Sequence, residues 1–401
     1  MLPLSTRDIL DSTDHQWMDV RNSPHVQQVL ARHEQVEQPQ FARCNALLGA
    51  AEDDDAKTDK KKNGSSSGAL PRRAYQNKES LSAQGVELSV VHWGQLKLLL
   101  CEIEFLTMYA KDGDTVLYVG AADGRHIPYL ANELFPKLTF VLFDPHPFAF
   151  VPDKEKKNIL LRQEMFTDEC VKEFQSTNRT LLFISDIRTT CFEKEDPSRD
   201  KDVRMNMDAQ MKWYLALQPK RALLKFRFPY AKGQTKYLAG DIYFQPFARC
   251  QSTETRLVPF PPVVRERGVI HKQDDDDNDE EDEEMESEQH SDEKHESTTA
   301  EATENLFRLY DHQVYEEQMC HFNHTLRTGT YRHGVRKAPG LDHCYDCTTQ
   351  VYILSQYLCK YHPYIRPEDR NEAVRRMSKA ISYALIGNTD ALALKTWKIK
   401  F

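Results

Sequence analysis

The sequence predicts an α/β protein built on a mostly parallel, Rossmann-like sheet with helices on both faces. Three observations carry this. Short apolar runs alternate with helical stretches from about residue 115 to residue 259, the order that stacks helices against a sheet. The first run, TVLYVG, breaks on Gly120, with Gly124 four residues later and helix-forming residues after it. Ahead of it, WGQLKLLLCEIEFLTMYA spaces Leu96, Leu99, Leu100, Ile103 and Leu106 as an amphipathic helix does.

The remaining elements follow in order. LTFVLFD, NILLR, TLLFISDI, RALLKFRF, DIYFQPF and TETRLVPF read as strands; RHIPYLANELF, TDECVKEFQS and MNMDAQMKWYLALQ read as helices between them. The chain has no internal repeat. Residues 1–50 form an N-terminal segment with little sustained apolar content, and residues 51–72 are a low-complexity linker. Residues 73–401 form the folded domain, interrupted by an acidic insertion over 273–300.

Composition narrows the setting. Nine scattered cysteines suit a reducing compartment better than a disulfide framework. MLPLSTRDIL continues into polar sequence unlike a secretion signal, and no apolar stretch reaches the roughly 18 residues of a membrane span. A soluble intracellular protein with no membrane partner is expected. The formal charge of −9 hides an uneven distribution: Asp274 to Glu296 holds fifteen carboxylates against one Lys. Removing that segment's −14 leaves the rest at +5, a mildly basic body compatible with RNA. The acidic run reads as a solvated tether, with mimicry of nucleic acid over a basic groove as the sharper alternative.

In α/β sheets ligands bind outside the carboxyl ends of the strands, so the strand ends were read for chemistry. LYVGAADGRHIPYL lacks the third glycine of a dinucleotide fingerprint and places Asp123 and bulky Arg125 where a pyrophosphate would lie. Asp144 ends the second strand, 24 residues beyond Gly120, where an acidic residue commonly takes ribose hydroxyls. An adenosine cofactor without phosphates, S-adenosylmethionine, fits this turn better than a dinucleotide. The third strand ends in ISDIR with Asp186 and Arg188; Lys225 lies inside the apolar strand LLKFRF; Glu254 lies in STETRL; Lys97 lies in the preceding helix. Singly these residues read as a cap, a surface charge or a wet helix face. A lysine inside a buried strand is harder to dismiss, because desolvation disfavours its charge. Together, Lys, Asp, Lys and Glu in this order match the tetrad of ribose 2′-O-methyltransferases, where a ribose hydroxyl needs a base to take its proton.

With these residues in place the chain resembles the poxvirus-type cap-specific mRNA 2′-O-methyltransferase family, whose viral form doubles as a poly(A) polymerase subunit. The shared stretches are GQLKLLLCEIEFL, VLYVGAADGRHIPYL, FISDIR, LKFRFPY and QPFARCQSTETRL, from Gly94 to Leu257, with a weaker match through VYEEQM. The resemblance implies Lys97, Asp186, Lys225 and Glu254 as catalytic, with Lys225 the base. It implies that Gln95, Tyr118, Gly120, Gly124, Asp144 and Asp186 contact S-adenosylmethionine, and that Arg188 and Arg227 contact RNA. It places Tyr230 and Tyr75 around a methylguanine cap and Glu316 on the guanine edge. Lys232 stands where the family has a second carboxylate and Gln251 where it has a third aromatic. The long insertions make the chain most like the kinetoplastid branch, which methylates the second transcribed nucleotide of messenger or spliced-leader RNA in the nucleus. KTDKKK is at most a weak basic signal for that location.

Two other readings stay open at this stage. A non-catalytic RNA-binding subunit would explain the basic body, and the same enzyme could act at nucleotide 1, 3 or 4. CHFNH (Cys320, His321, His324) and DHCYDC (His343, Cys344, Cys347) have zinc-ligand residue types, although buried cysteines are the expected reading and no metal is assigned.

Overall fold

Helix α1, Gly94–Tyr109, precedes strand β1, Thr115–Val119. After the glycine turn come helix α2 (Ile127–Tyr129 continued by Leu130–Leu134), β2 (Thr139–Phe143), β3 (Ile159–Arg162), α3 (Asp168–Gln175), β4 (Leu181–Ser185), α4 (Asp196–Leu217) and β5 (Arg221–Phe226). Then follow β6 (Gln234–Leu238), β7 (Gly240–Tyr243), β8 (Thr255–Pro259), β9 (Phe307–Asp311), α5 (His312–His321), α6 (Tyr345–Tyr361) and α7 (Arg370–Ile386). This computed structural model describes residues 35–36, 72, 74, 94–175, 180–189, 196–249, 252–261, 306–327, 330–331 and 345–386. Tyr75, Gln251, His343, Cys344, residues 51–71 of the linker and the acidic insertion lie outside them. Among the described residues no helix is long and apolar enough to cross a membrane.

The expected sheet is present. Seven strands run in the order β3-β2-β1-β4-β5-β8-β7, with the first five parallel and β8 antiparallel to both its neighbours, β5 and β7. The strand order reverses at β1, between β2 and β4, which opens a crevice at the carboxyl ends of these strands.

Alternation along each strand sorts side chains between two cores. Val116 and Tyr118, Phe140 and Leu142, Leu182 and Ile184, and Leu223 pack with α1, α6 and α7. Leu117 and Val119, Val141 and Phe143, Leu181 and Phe183, and Leu224 and Phe226 pack on the other face with α3, α4 and α5. The same period puts Asp186 and Lys225, two residues beyond Ile184 and Leu223, toward the α1 face.

Two features depart from the sequence reading. Helix α1 was expected to keep a wet face, yet Glu102, Glu104 and Thr107 are buried along with its leucines because α6 covers its outer side. A second, two-stranded antiparallel ribbon pairs β6 with β9, Gln234 opposite Asp311 and Leu238 opposite Phe307. QTKYL and FRLYD mix polar and apolar residues and carry no strand signal of their own; pairing with each other makes them strands.

This ribbon fixes both ends of the long insertion. Phe260 N–H donates to Ala239 O at 2.9 Å, and Ala239 N–H donates to Leu306 O at 2.8 Å, so the chain leaves and returns at one residue. Shortening a loop whose ends already meet changes closure entropy little, about 0.6 kcal/mol per halving. Deleting Asp274 to Glu296 is therefore expected to leave the thermal midpoint within a few degrees of the parent. A collapse of the cooperative transition in calorimetry would show instead that the segment packs on the core.

Candidate active site

The glycine turn is built around a close crossing of two strand exits. Gly120 has φ +79, and its N–H donates to Phe143 O at 2.8 Å. A Cβ there would lie 2.8 Å from Ile187 N and 2.9 Å from Asp186 C, both backbone atoms that cannot move aside. Only glycine lets β1 turn under the end of β4, and Asp186 N–H in turn donates to Val119 O at 2.9 Å. Gly124, φ +63, would press a Cβ to 2.9 Å from the Phe150 ring. Between them Ala122 is held at φ 51, a conformation that costs a non-glycine residue roughly 1–2 kcal/mol. Asp144 at the end of β2 offsets this: its Oδ2 accepts Ala122 N–H at 2.8 Å while Oδ1 accepts His146 N–H at 2.9 Å.

Behind the turn lies a buried polar chain. Gln95 Oε1 is 2.9 Å from His126 Nδ1, and His126 Nε2 is 2.9 Å from Glu102 Oε1. Tyr118 is fully buried on β1, and its hydroxyl donates to the same Glu102 oxygen at 2.8 Å. Burial and the adjacent Glu102 push the Tyr118 phenol well up, so it stays a donor. Glu102 Oε2 is buried without a hydrogen-bond partner.

Beside the turn, six charged side chains meet. Lys225 Nζ donates to Asp186 Oδ1 at 2.8 Å and lies 3.3 Å from Glu254 Oε2. Lys97 Nζ, from the first turn of α1, donates to Glu254 Oε1 at 2.8 Å. All four sequence-selected residues are thus within one hydrogen-bonded cluster. The fifth member, Arg256, was not singled out. It faces Lys225 across the β5–β8 ladder, is 3% exposed, and donates from Nη1 to Asp186 Oδ1 at 2.7 Å. Its position in TETRL is the available signal: two residues after Glu254, it falls on the same face of the strand. Gln245 Nε2 donates to Glu254 Oε1 at 3.1 Å, and Arg188 Nη2 donates to Oε2 at 3.1 Å.

The electrostatics follow from this geometry. Burial pushes the Asp186 carboxyl up, but Arg256 and Lys225 outweigh it and hold it well below the usual carboxylate range. Glu254 is likewise held far down, by Lys225, Lys97 and Arg256 against its burial. Burial lowers the Lys225 pKa; Asp186 and Glu254 offset part of this, while Arg256 and Arg188 add to it. Arginine cannot give up its proton, so burial beside Arg256 and Arg188 acts on Lys225, which can.

Among the residues expected on the RNA side, Arg188 reaches the cluster through Glu254, and Arg227 directly follows the end of β5. Tyr230, four residues past the end of β5, is 49% exposed, with the Arg227 guanidinium 5.0 Å from its ring centroid. Glu316 on α5 is half-buried, and burial, then Glu317 and Asp200, push its carboxyl up. Arg72 Nε donates to Glu317 Oε2 at 2.7 Å and Cys320 Sγ to Ala74 O at 3.4 Å, so the chain just before Tyr75 runs along α5. Of the zinc-type residues, Cys320 and Cys347 are buried thiols, and Cys320 Sγ lies 3.4 Å from His324 Nδ1. No metal-binding group forms among the described residues.

Comparison with known proteins adds an independent line. A family model described as poly A polymerase regulatory subunit matches residues 74–285. The cap-specific mRNA (nucleoside-2′-O-)-methyltransferase of Myxoma virus, strain Lausanne, is 32% identical over 181 residues, 42% of this chain and 52% of that protein. The protein of the same description from strain Uriarra matches to the same extent. The chain spans about half the length of these curated relatives. A solved structure of bluetongue virus VP4, described as a multifunctional RNA-capping production line, aligns over 62% of this chain and 36% of its own at 15% identity. Its TM-score of 0.33 carries no argument.

Removing one partner from a buried ionic cluster leaves uncompensated charge, at a cost of about 3–5 kcal/mol. Arg256→Ala is expected to lower stability by that amount in denaturant titrations at neutral pH, and Arg256→Lys by less. Equal midpoints for parent and Arg256→Ala would show that the cluster does not depend on the guanidinium.

Proposed function

Since the chain belongs to the poly A polymerase regulatory subunit family, we propose that it is an S-adenosylmethionine-dependent methyltransferase acting on a ribose 2′-hydroxyl near the RNA 5′ cap. The observation that carries this is the Lys225–Asp186–Arg256 cluster at the switch-point crevice, completed by Glu254 and Lys97. The Myxoma relatives, cap-specific by description, support the reading. From the resemblance read in the sequence we further propose the second transcribed nucleotide of messenger or spliced-leader RNA as the target and the nucleus as the place of work.

The turn suits the cofactor chemically. It offers carboxylates, Asp144 and Asp123, and its one cation, Arg125, is paired with Asp123 at 2.7 Å. Phosphates would be repelled there, whereas a ribose diol can donate to Asp144 and a cationic sulfonium can lie near Asp186. Gln95, Tyr118, Gly120 and Gly124 are the other residues assigned to hold it. S-adenosylmethionine, when bound, supplies the methyl group.

The chain's own residues do the rest. In its neutral form Lys225 has two N–H bonds, which point to Asp186 and Glu254, and one lone pair left for a substrate hydroxyl proton. As the oxygen gains its methyl group, Lys225 takes the proton and becomes a cation between two carboxylates already in place. Lys97 keeps Glu254 oriented, and Arg188 and Arg227 are assigned to the RNA. Tyr230 and Tyr75 are assigned to the cap, with Glu316 on its edge.

Lys225→Ala is expected to abolish methyl transfer while cofactor affinity stays within a few-fold, because it removes the base and not the cofactor site. Asp144→Ala is expected to weaken cofactor binding by roughly 1–3 kcal/mol in calorimetry, for hydrogen bonds lost to the ribose. A base must be unprotonated, so turnover rises with pH through the lowered Lys225 pKa and then levels. Asp186 and Glu254 remain ionised throughout and add no second acid limb. The decisive assay is mass spectrometry of capped RNA, nucleotide by nucleotide, after incubation with labelled cofactor. Label on the second ribose is expected. RNA that binds without acquiring label would favour a non-catalytic RNA-binding subunit.

A further inference from the structure

The loop that presents Tyr230 is fastened by side chains from two other elements. β5 ends at Phe226, and Pro229 follows three residues on. From α4, Asp200 Oδ1 accepts Tyr230 N–H and Oδ2 accepts Ala231 N–H, each at 3.0 Å. From the start of α5, His312 Nδ1 lies 2.8 Å from Ala231 O, and its backbone N–H donates to Gly233 O at 3.0 Å. His312 itself is buried, 2.8 Å from Thr235 Oγ1 through Nε2, and stacked on Phe228 at 5.3 Å and 13°.

We propose that Asp200 is a positioning residue: its carboxylate holds the backbone beneath Tyr230 so that one ring face is offered, ready-made, to a substrate base. The proposal rests on the reading of Tyr230 as a cap-stacking residue. Arg227 lies over the Tyr230 ring, so a base stacking opposite it would form a three-layer stack. A carboxylate oxygen accepting an N–H bonds roughly twice as strongly as a neutral acceptor. Two such bonds to consecutive amides fix the direction in which Tyr230 leaves the backbone. Without them the loop would pay the ordering entropy at each binding event, weakening capture without altering the base beside it. Asp200 was not visible as functional in the sequence, where it is one acid among several in EKEDPSRDKD.

The test uses the full chain, short capped and uncapped RNA, and a double-mutant cycle. Asp200→Ala is expected to raise KM for capped RNA on the order of tenfold, with kcat and cofactor affinity within about twofold of the parent. Asp200→Asn, retaining one acceptor oxygen, should fall between. Tyr230→Ala should lose the preference for capped RNA, and adding Asp200→Ala to it should change nothing further, because the carboxylate acts through that ring. Additive losses, or a fall in kcat at unchanged KM, would overturn the proposal by making the role structural. If Tyr230→Ala loses cap preference while Asp200→Ala keeps the parent KM, only the Asp200 proposal falls. If Tyr230→Ala keeps cap preference, the cap pocket lies elsewhere and both readings fall together.

Discussion

The structure turns on one oxygen. Asp186 Oδ1 accepts both Lys225 and Arg256, cations brought face to face by the antiparallel pairing of β5 with β8. Had β8 slipped by one residue, Arg256 would point into the opposite core. Holding that oxygen in place requires the exit of β4 to cross tightly over the exit of β1, which is why Gly120 has no room for a Cβ. The cluster is costly on its own, since buried charges lose hydration. Its cost is offset by mutual compensation, and the residual imbalance falls on the group able to shed a proton.

Sheet alternation also separates two tasks. Residues of one parity along β5 and β8 gather at the α1 face, where the cluster sits, while Phe226 and Phe228, on the other parity, pack against Tyr315 of α5. Tyr315 OH donates to Thr253 O and lies 2.8 Å from Thr255 Oγ1, bracketing Glu254. The two faces are therefore tied at the residue that links both lysines. Lys225, Arg227 and Tyr230 follow along one stretch of chain, so the spacing between base and stacking ring is set by β5 and its short exit.

Much of this was legible before any coordinates. Alternating apolar runs announced the parallel sheet, and Lys225 stood out because a lysine within such a run conflicts with burial unless something needs it. What escaped was whatever depended on pairing between distant segments. Arg256 drew no notice, because only the β5–β8 register places it opposite Lys225. Glu102 looked like the wet side of α1, because a sequence cannot show that α6 covers it. QTKYL and FRLYD carry no strand pattern individually, since each becomes a strand only in the other's presence. Tyr75 and the second half of the Cys/His cluster lie outside the described residues.

The staple at Ala239 has a consequence for the order in which the molecule assembles. Residues 260–306 separate β8 from β9 in the chain but hardly at all in space. In the folded state that detour is nearly free, because closure entropy grows only with the logarithm of length. Kinetically it is not, since distant contacts are slow to find one another. The parallel sheet can therefore form first, with the ribbon and α5 arriving late and opening early. Hydrogen exchange should divide the protein accordingly: a slow core holding the cofactor turn, and a faster layer holding His312, Glu316 and the loop of Tyr230.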